Sequence, residues 1–549
     1  MKKKLLFLVA ALALFVPSVM AAEVSTTEEL KTCLAKDGNT CKLTKSLTDV
    51  PTLVLTDGTI VLDLNGNNIT FAKSSRLNVK KGNLTITGEG KISESVPSTA
   101  PVTIYGSVDE KDTKYTTVTI EKNVILEGLY GSFISISKDS KGKSHAYGTT
   151  VNINGTLIGL KEGNDDGAGF YINGLLQDTT NAPVINVNSS AKLEGKGGAI
   201  YGAGYAVWNI NGAKLTGDSY GVGLKAGKFV LNNVSLETVG AKKDGTYNGN
   251  GINEAGAAIQ IESNDDYAGE IEITINGGSY KSENGDVVYH YSAAKPGSTE
   301  AVKNSLLKLN IEKGTFTGGF TLLDDDKVLV TGGTFNTDVA KFVGDKYVVN
   351  KNGNTYAVVE NKVLETNDEK VIFESEEAIR NDLSLKVTEK TEDEIKKGTE
   401  KVTEAYKDNK KVKEVKLINL YEIDVLNGAG RVEKLEEGKF TIAIAIPESE
   451  QKYDAYKVIY IDEDGKIADT LDAKLVDGKV VFTTSHLSTY GVVGYNNVTE
   501  TPTETPTETK PEKNPTTSDI NLALIISAIV ISTIGVVITS KKISAKVTR

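Results

Sequence analysis

The sequence is poor in the side chains that most often staple, coordinate or react. Its 549 residues include two cysteines, two methionines, one tryptophan and three histidines. Arginine occurs only as Arg76, Arg380, Arg431 and Arg549. Both methionines, Met1 and Met20, lie at the extreme N-terminus. Two thiols are too few for a cysteine-based metal site, and no further ligands lie near them in the sequence. In a secreted chain, Cys33 and Cys41 read instead as a local disulfide closing a short loop over Asp37-Gly38-Asn39. Aromatics make up 7% and hydrophobic residues 39% of the chain. That is lean for one compact globule and suits a repetitive all-β protein. The formal charge is −11, and the lysines and arginine at the two ends mask a still more acidic middle. A surface of that sign repels nucleic acid and anionic lipid, so nucleic-acid binding is excluded.

The two ends carry processing signals. Lys2, Lys3 and Lys4 precede an apolar run from Leu5 to Val16, and the small residues Ala21 and Ala22 follow. This reads as a signal peptide over 1–22, leaving Ala22 or Glu23 as the mature N-terminus. Residues 497–519 repeat Thr, Pro and Glu, cannot form a core and are expected to be extended and disordered. The uncharged stretch 520–540 is long enough for a single transmembrane helix through a hydrocarbon core of about 30 Å. The basic tail 541–549, with Lys541, Lys542, Lys546 and Arg549, is expected in the cytoplasm. The rest of the chain would then be displayed on the outer face of a cell.

Between 53 and 360 one phrase returns: alternating apolar residues, then Asn or Gly, then a short strand ending in Gly. Thr117-Val-Thr-Ile-Glu and Thr150-Val-Asn-Ile-Asn are two copies. Alternation of period 2 marks strands with one buried face. The anchoring residues Ile120, Ile153, Val187, Ile210, Ile275, Ile311 and Val330 recur at irregular steps. Irregular steps exclude a propeller, whose blades need similar sizes. They suit a parallel β-helix, in which strands are kept while corner loops vary. Asparagines at matching strand ends are expected to stack in ladders. Residues 23–52, with the capping sequence Thr26-Thr27-Glu28-Glu29, read as a short helix and strand capping the first coil.

Three stretches carry a resemblance. Val24-Ser-Thr-Thr-Glu-Glu-Leu30, Ile60-Val-Leu-Asp-Leu-Asn-Gly-Asn-Asn-Ile69 and Leu84-Thr-Ile-Thr-Gly-Glu-Gly-Lys-Ile92 resemble the opening of right-handed parallel β-helix proteins of Gram-positive, Firmicutes-type surfaces, a pectate-lyase-like fold. Residues 330–359 are similar to the last coils of such arrays. The resemblance implies an all-β fold led by a right-handed solenoid.

At about 360 the composition turns from Gly and Asn to Lys and Glu. Thr391-Glu-Asp-Glu394 is a capping box opening one helix to about Lys407. Strands are expected over 416–425, 440–446, 456–461 and 479–482, with hairpin turns at Asp464-Gly465 and Asp477-Gly478. The stretch 440–490 resembles a β-sandwich module found near the C-termini of Firmicutes surface proteins, which implies a stalk domain over 361–496. Asn514-Pro515-Thr516-Thr517-Ser518, followed by an apolar span and cations, resembles a sortase sorting signal. The family pattern most often has Leu first and Gly after the cleaved Thr, where this chain has Asn514 and Ser518. The resemblance implies a sortase partner cutting Thr517–Ser518 and anchorage to the cell wall. Without cleavage, the anchor is the membrane helix.

No constellation announces catalysis. The lyases of this fold use calcium-binding carboxylates with an arginine or lysine base, and Arg76 is the only arginine of the solenoid. The hydrolases use clustered aspartates with Gly-His-Gly, whereas His145 stands in Ser-His-Ala and His290 in Tyr-His-Tyr. The acidic clusters Asn164-Asp165-Asp166, Asn264-Asp265-Asp266 and Asp324-Asp325-Asp326 sit in corner-like settings, where acids are usually solvated. Paired carboxylates of this kind can hold Ca²⁺ or act on a sugar, which makes Asp165 and Asp166 ligand candidates. His290 between Tyr289 and Tyr291 is a candidate for stacking a sugar ring. The expectation is no catalytic residue, no cofactor and a non-enzymatic adhesin that binds a glycan or host surface. Two alternatives stand beside it: a polysaccharide lyase or glycoside hydrolase of the β-helix type, and a purely structural envelope protein.

Overall fold

The computed structural model describes residues 21–162, 165–172, 179–247, 254–263, 271–293, 296–297, 307–435 and 438–498. The leader before residue 21, the spacer from 499, the sorting-like motif, the apolar span 520–540 and the cluster at 264–266 lie outside the described residues. Among the described residues no helix is long and apolar enough to cross a membrane. The chain forms two compact units: one runs to Gly344 and takes back Val349–Val359, and the other joins Asp345–Val348 to the chain from Glu360.

The first unit is a large, almost wholly parallel sheet whose strands fall into three ladders visited in turn. The first ladder starts with Ala22–Val24, Thr40–Leu43 and Thr59–Asp63 and ends at Lys327–Val330. The second starts with Leu47–Val50 and Ile69–Phe71, and the third with Leu53–Leu55 and Leu77–Val79. Each circuit pairs in parallel with the next, the arrangement a parallel β-helix requires. The physical basis is the inward rows. In the first ladder, register aligns Ile86, Ile120, Ile153, Val187, Ile210, Leu231, Ile275, Ile311 and Val330, every one of them buried. All seven anchoring residues of the repeat therefore share one row. The row beside it runs through Ile185, Trp208 and Phe229, with the indole 5.3 Å from the Phe229 ring and 5.6 Å from Phe170.

Outward positions are tied by the expected amide ladders. Asn209 donates to Asn186 at 3.0 Å, Asn186 to Asn152 at 2.9 Å, and Asn152 to Thr119 at 3.3 Å. A second ladder links Asn276 to Asn232 and Asn232 to Asn211, at 2.9 and 2.7 Å. The two steps are 44 and 21 residues long, so the hydrogen bond survives whatever loop the corner carries. Corners are tight. At Gly82, with φ of +95°, a Cβ would stand 2.3 Å from the Gly58 carbonyl oxygen, so only glycine fits.

Helix α1 (Thr27–Leu34) opens with a capping box between Thr26 and Glu29 and buries Leu30, Cys33 and Leu34. Cys33 is disulfide-bonded to Cys41, which occupies the first-ladder inward row beside Leu62. Ala22–Val24 and Thr40–Leu43 are the first two strands of the first ladder, so the 23–52 segment supplies strands as well as a cap.

The second unit differs from the expected β-sandwich. Its nine strands form one antiparallel sheet, with Val363–Glu365 at one end and Ser384–Glu389 at the other, and these two end strands approach each other. The result is a nearly closed, barrel-like sheet, because the long strand Val412–Leu426 pairs along its length with Thr489–Asn497 and with Ser384–Glu389. Phe373, Ile423, Ile442, Val458, Phe482 and Tyr490 fill the inside. Helix α2 (Glu392–Tyr406), capped by Thr391 with Glu394, packs Val402 against Leu417, Leu420, Ile459 and Val493. Asp477 and Gly478, at φ of 46° and 76°, make the hairpin turn read from the sequence.

Candidate functional site

The third ladder contains the unit's departure from aliphatic packing. Its inward row reads Val79, Ile104, Ile134, Ile172, Gly202, Leu224, Ile261 and then His290. An imidazole thus occupies a position where the preceding coils put alkyl groups or glycine. It is 1% exposed. Nδ1 lies 2.8 Å from Asp326 Oδ2, and Nε2 lies 2.7 Å from Ser263 Oγ. Asp326 follows a turn and also accepts the Leu323 amide at 2.8 Å. Ser263 ends the strand Ile259–Ser263, one coil before the strand Ile271–Ser292 that carries His290. Three residues far apart in sequence, on consecutive coils, form a Ser–His–Asp chain.

Beside it lies a buried ion pair. Lys225 Nζ is 3.4 Å from Glu262 Oε1, and both side chains are fully buried. Tyr291 donates its hydroxyl to Glu262 Oε2 at 2.9 Å. Asp286, 5% exposed, pairs with Lys242 at 3.0 Å. Desolvating such charges costs several kcal/mol per ion, and packing alone does not call for them.

The residues singled out in the sequence fall as follows. His290 offers no ring face to a ligand, because it is enclosed and engaged at both nitrogens; this corrects its reading as a sugar-stacking residue. Tyr291 is 6% exposed and bound to Glu262. Tyr289 is half-buried, accepts the Gly245 amide at 2.9 Å and stacks on Tyr291 at 5.3 Å. It also belongs to a row that holds Phe133, Tyr171 and Tyr201, whose neighbouring rings lie 5.1 and 4.6 Å apart, with Gly223 and Gln260 between Tyr201 and Tyr289. Asp165 and Asp166 fall in a short antiparallel hairpin with Lys161–Glu162. His145 stacks on Tyr147 and lies 3.2 Å from Asp139. Arg76 donates to Thr99 at 2.6 Å, next to Glu94, whose carboxyl burial pushes up against hydrogen bonds from Ser98 and Thr99. Among the described residues no three His, Cys, Asp or Glu side chains converge as a metal site. His486, in the second unit, packs on Tyr460 at 4.4 Å and lies 3.1 Å from the buried Tyr490 hydroxyl.

Sequence reasoning missed Ser263, Lys225 and Glu262, and it named Asp326 only as part of an acidic corner cluster expected to be solvated, whereas its side chain is buried against His290. The available signal was register: aligning Ile259–Ser263 with the end of Ile271–Ser292 sets His290 against Ile261, an imidazole in an aliphatic row.

One open surface complements this buried cluster. Where the first ladder turns into the second, a groove of about 770 Å³ runs across successive coils, lined by Asn68, Lys91, Lys122, Ile125, Asn154 and Lys192 among others. Lys91 is held by Glu127 at 2.8 Å, while Lys122 and Lys192 are exposed. No known protein family, curated protein or solved structure matches this chain.

Proposed function

We propose that this protein is a Gram-positive surface protein: a right-handed parallel β-helix displayed on a stalk and held by a sortase-processed or membrane-embedded C-terminus. On this reading it is a non-enzymatic adhesin whose β-helix binds a polysaccharide or host-surface glycan. The observation that carries the binding reading is the groove between the first and second ladders. Its lining comes from successive coils, with Lys91, Ile125, Thr156 and Lys192 at matching positions, so an extended ligand would meet one coil after another. That arrangement matches a linear polymer, whose own units repeat, and it gains strength from many weak contacts. Lys122 and Lys192 on an acidic protein favour an anionic polymer. The N-terminal leader and the ordered sequence of spacer, Asn514–Ser518 motif, apolar span and cations support display and anchorage.

The test is titration of the full chain against immobilised acidic and neutral polysaccharides. Replacing Lys122 and Lys192 together by alanine is expected to weaken binding to the acidic polymer at least tenfold. Equal binding of native and variant chains refutes the groove as the site. Anchorage is checked separately: a chain released by detergent with Arg549 intact uses the membrane helix and not the wall.

A further inference from the structure

We propose that Ser263 is a nucleophile activated by His290 and oriented through Asp326, and that the third ladder carries a site for hydrolysing carboxylic esters. The proposal stands apart from glycan binding in the groove. Geometry carries it. A nucleophile–base contact of 2.7 Å and a base–carboxylate contact of 2.8 Å follow one another through a single imidazole. Asp326 is acceptor-only when ionised, so it fixes the proton on Nδ1 and leaves the Nε2 lone pair facing the Ser263 hydroxyl. The carboxylate is itself anchored by the Leu323 amide. This is the order of roles that nucleophilic catalysis by serine requires: nucleophile, base, orienting group.

Position adds a second argument. The inward row is aliphatic or glycine for seven coils and then breaks at His290, with Ser263 and Asp326 as its partners. Departures from a fold's own packing rule concentrate at functional sites. The side chains of Ser263, His290 and Asp326 are almost fully buried, which shields the relay from bulk solvent and strengthens its charge–dipole contacts.

The reaction balances without a cofactor. The Ser263 oxygen bonds to the ester carbonyl carbon as its proton passes to His290 Nε2, and Asp326 stabilises the imidazolium. The carbon–oxygen bond to the alcohol breaks, and the alcohol leaves with the proton from Nε2. Water then attacks the acyl-serine by the same route, releasing a carboxylic acid and restoring Ser263. His290 and Ser263 are catalytic residues here, and Asp326 is a positioning residue.

The experiment treats the full chain with a small alkyl fluorophosphonate, whose phosphorus bonds to an activated serine oxygen with loss of fluoride. Labelling is followed by intact mass and peptide mapping, alongside thermal melting. The expected result is one adduct per chain, at Ser263, absent in Ser263→Ala. His290→Gln is expected to slow labelling on the order of 10³-fold, and Asp326→Asn by a similar factor through the wrong imidazole tautomer. Release of acetate from p-nitrophenyl acetate should fall in parallel. A folded native chain that takes no label at Ser263 overturns the proposal. So does a folded Asp326→Asn chain that labels as fast as the native one, since a merely structural carboxylate would not govern serine reactivity. If His290→Gln does not melt cooperatively, the Asp326→Asn and native chains decide.

Discussion

The two units solve the same problem, closing a sheet around an apolar interior, and they treat buried charge in opposite ways. The barrel-like unit buries only uncharged polar side chains among its described residues: Asn361, Ser375, Asn419 and Thr484. The coiled unit buries Glu94, Lys225, Glu262, Asp286 and His290. In the barrel, the buried polar groups are few and uncharged, and one of them, the Tyr490 hydroxyl, meets Thr484 at 2.9 Å. In the coil, residues at equal positions of successive turns stack, so a polar group inside finds its partner in the next coil. A stacked architecture can therefore assemble a reactive cluster inside itself, one member per turn. The coil is therefore the unit to probe for chemistry.

The sharpest break between the units should come from Trp208→Ala. This side chain is fully enclosed between Phe170 and Phe229, and its loss should cost about 3–5 kcal/mol. Calorimetry is expected to resolve a lowered transition for the coil and an unmoved one for the barrel. A common shift of both would show that the units unfold together. Reduction of Cys33–Cys41 comes next, at about 2–3 kcal/mol by loop-closure estimates, again confined to the coil. Denaturant curves with and without reductant measure it.

Alkaline pH should act on both units, because burial pushes up the Tyr280 hydroxyl of the coil as well as tyrosines of the barrel. Burial pushes the Tyr490 hydroxyl up to about 12, against a lowering hydrogen bond from Thr484. The fold thus favours the neutral phenol. That contribution is complete below the ordinary tyrosine value of about 10 and disappears as pH rises through about 12. Barrel unfolding followed from pH 9 to 12 should show the loss, and Tyr490→Phe should reduce it, with the remainder due to Tyr453, which burial also pushes up to about 12. The smallest effect is expected from Thr391→Ala, about 1 kcal/mol from the lost cap of α2, read as a small drop in the barrel transition alone.

Much of this architecture was legible. The coil could be read because one buried row per ladder repeats a chemical type, and Ile120, Ile153 and Val187 signal it without any knowledge of the loops. Both capping boxes were legible because Thr26 with Glu29, and Thr391 with Glu394, act within one helical turn. Closure of the second unit was not legible: strand order depends on which edges meet, and nothing local distinguishes a sandwich from a sheet that curves back on itself. The Ser263–His290–Asp326 cluster was missed for a related reason. Its members are 27 and 36 residues apart, and coil lengths between them vary, so only the register brings them together.

The last parallel strand of the second ladder, Gly333–Phe335, does not meet another parallel strand but the antiparallel strand Thr355–Glu360. At the opposite end, α1 packs on the first strands of the stack with Leu30 and Leu34 buried. A stack of parallel strands ends in open donors and acceptors, and each such edge is a template for another molecule. A reversed strand presents the wrong polarity for parallel addition, and a helix presents no strand at all. The molecule is thereby a finite object and not the seed of a fibre. The reversed strand and the helix are what keep one copy from templating the next, and a chain lacking 349–359 should join end to end.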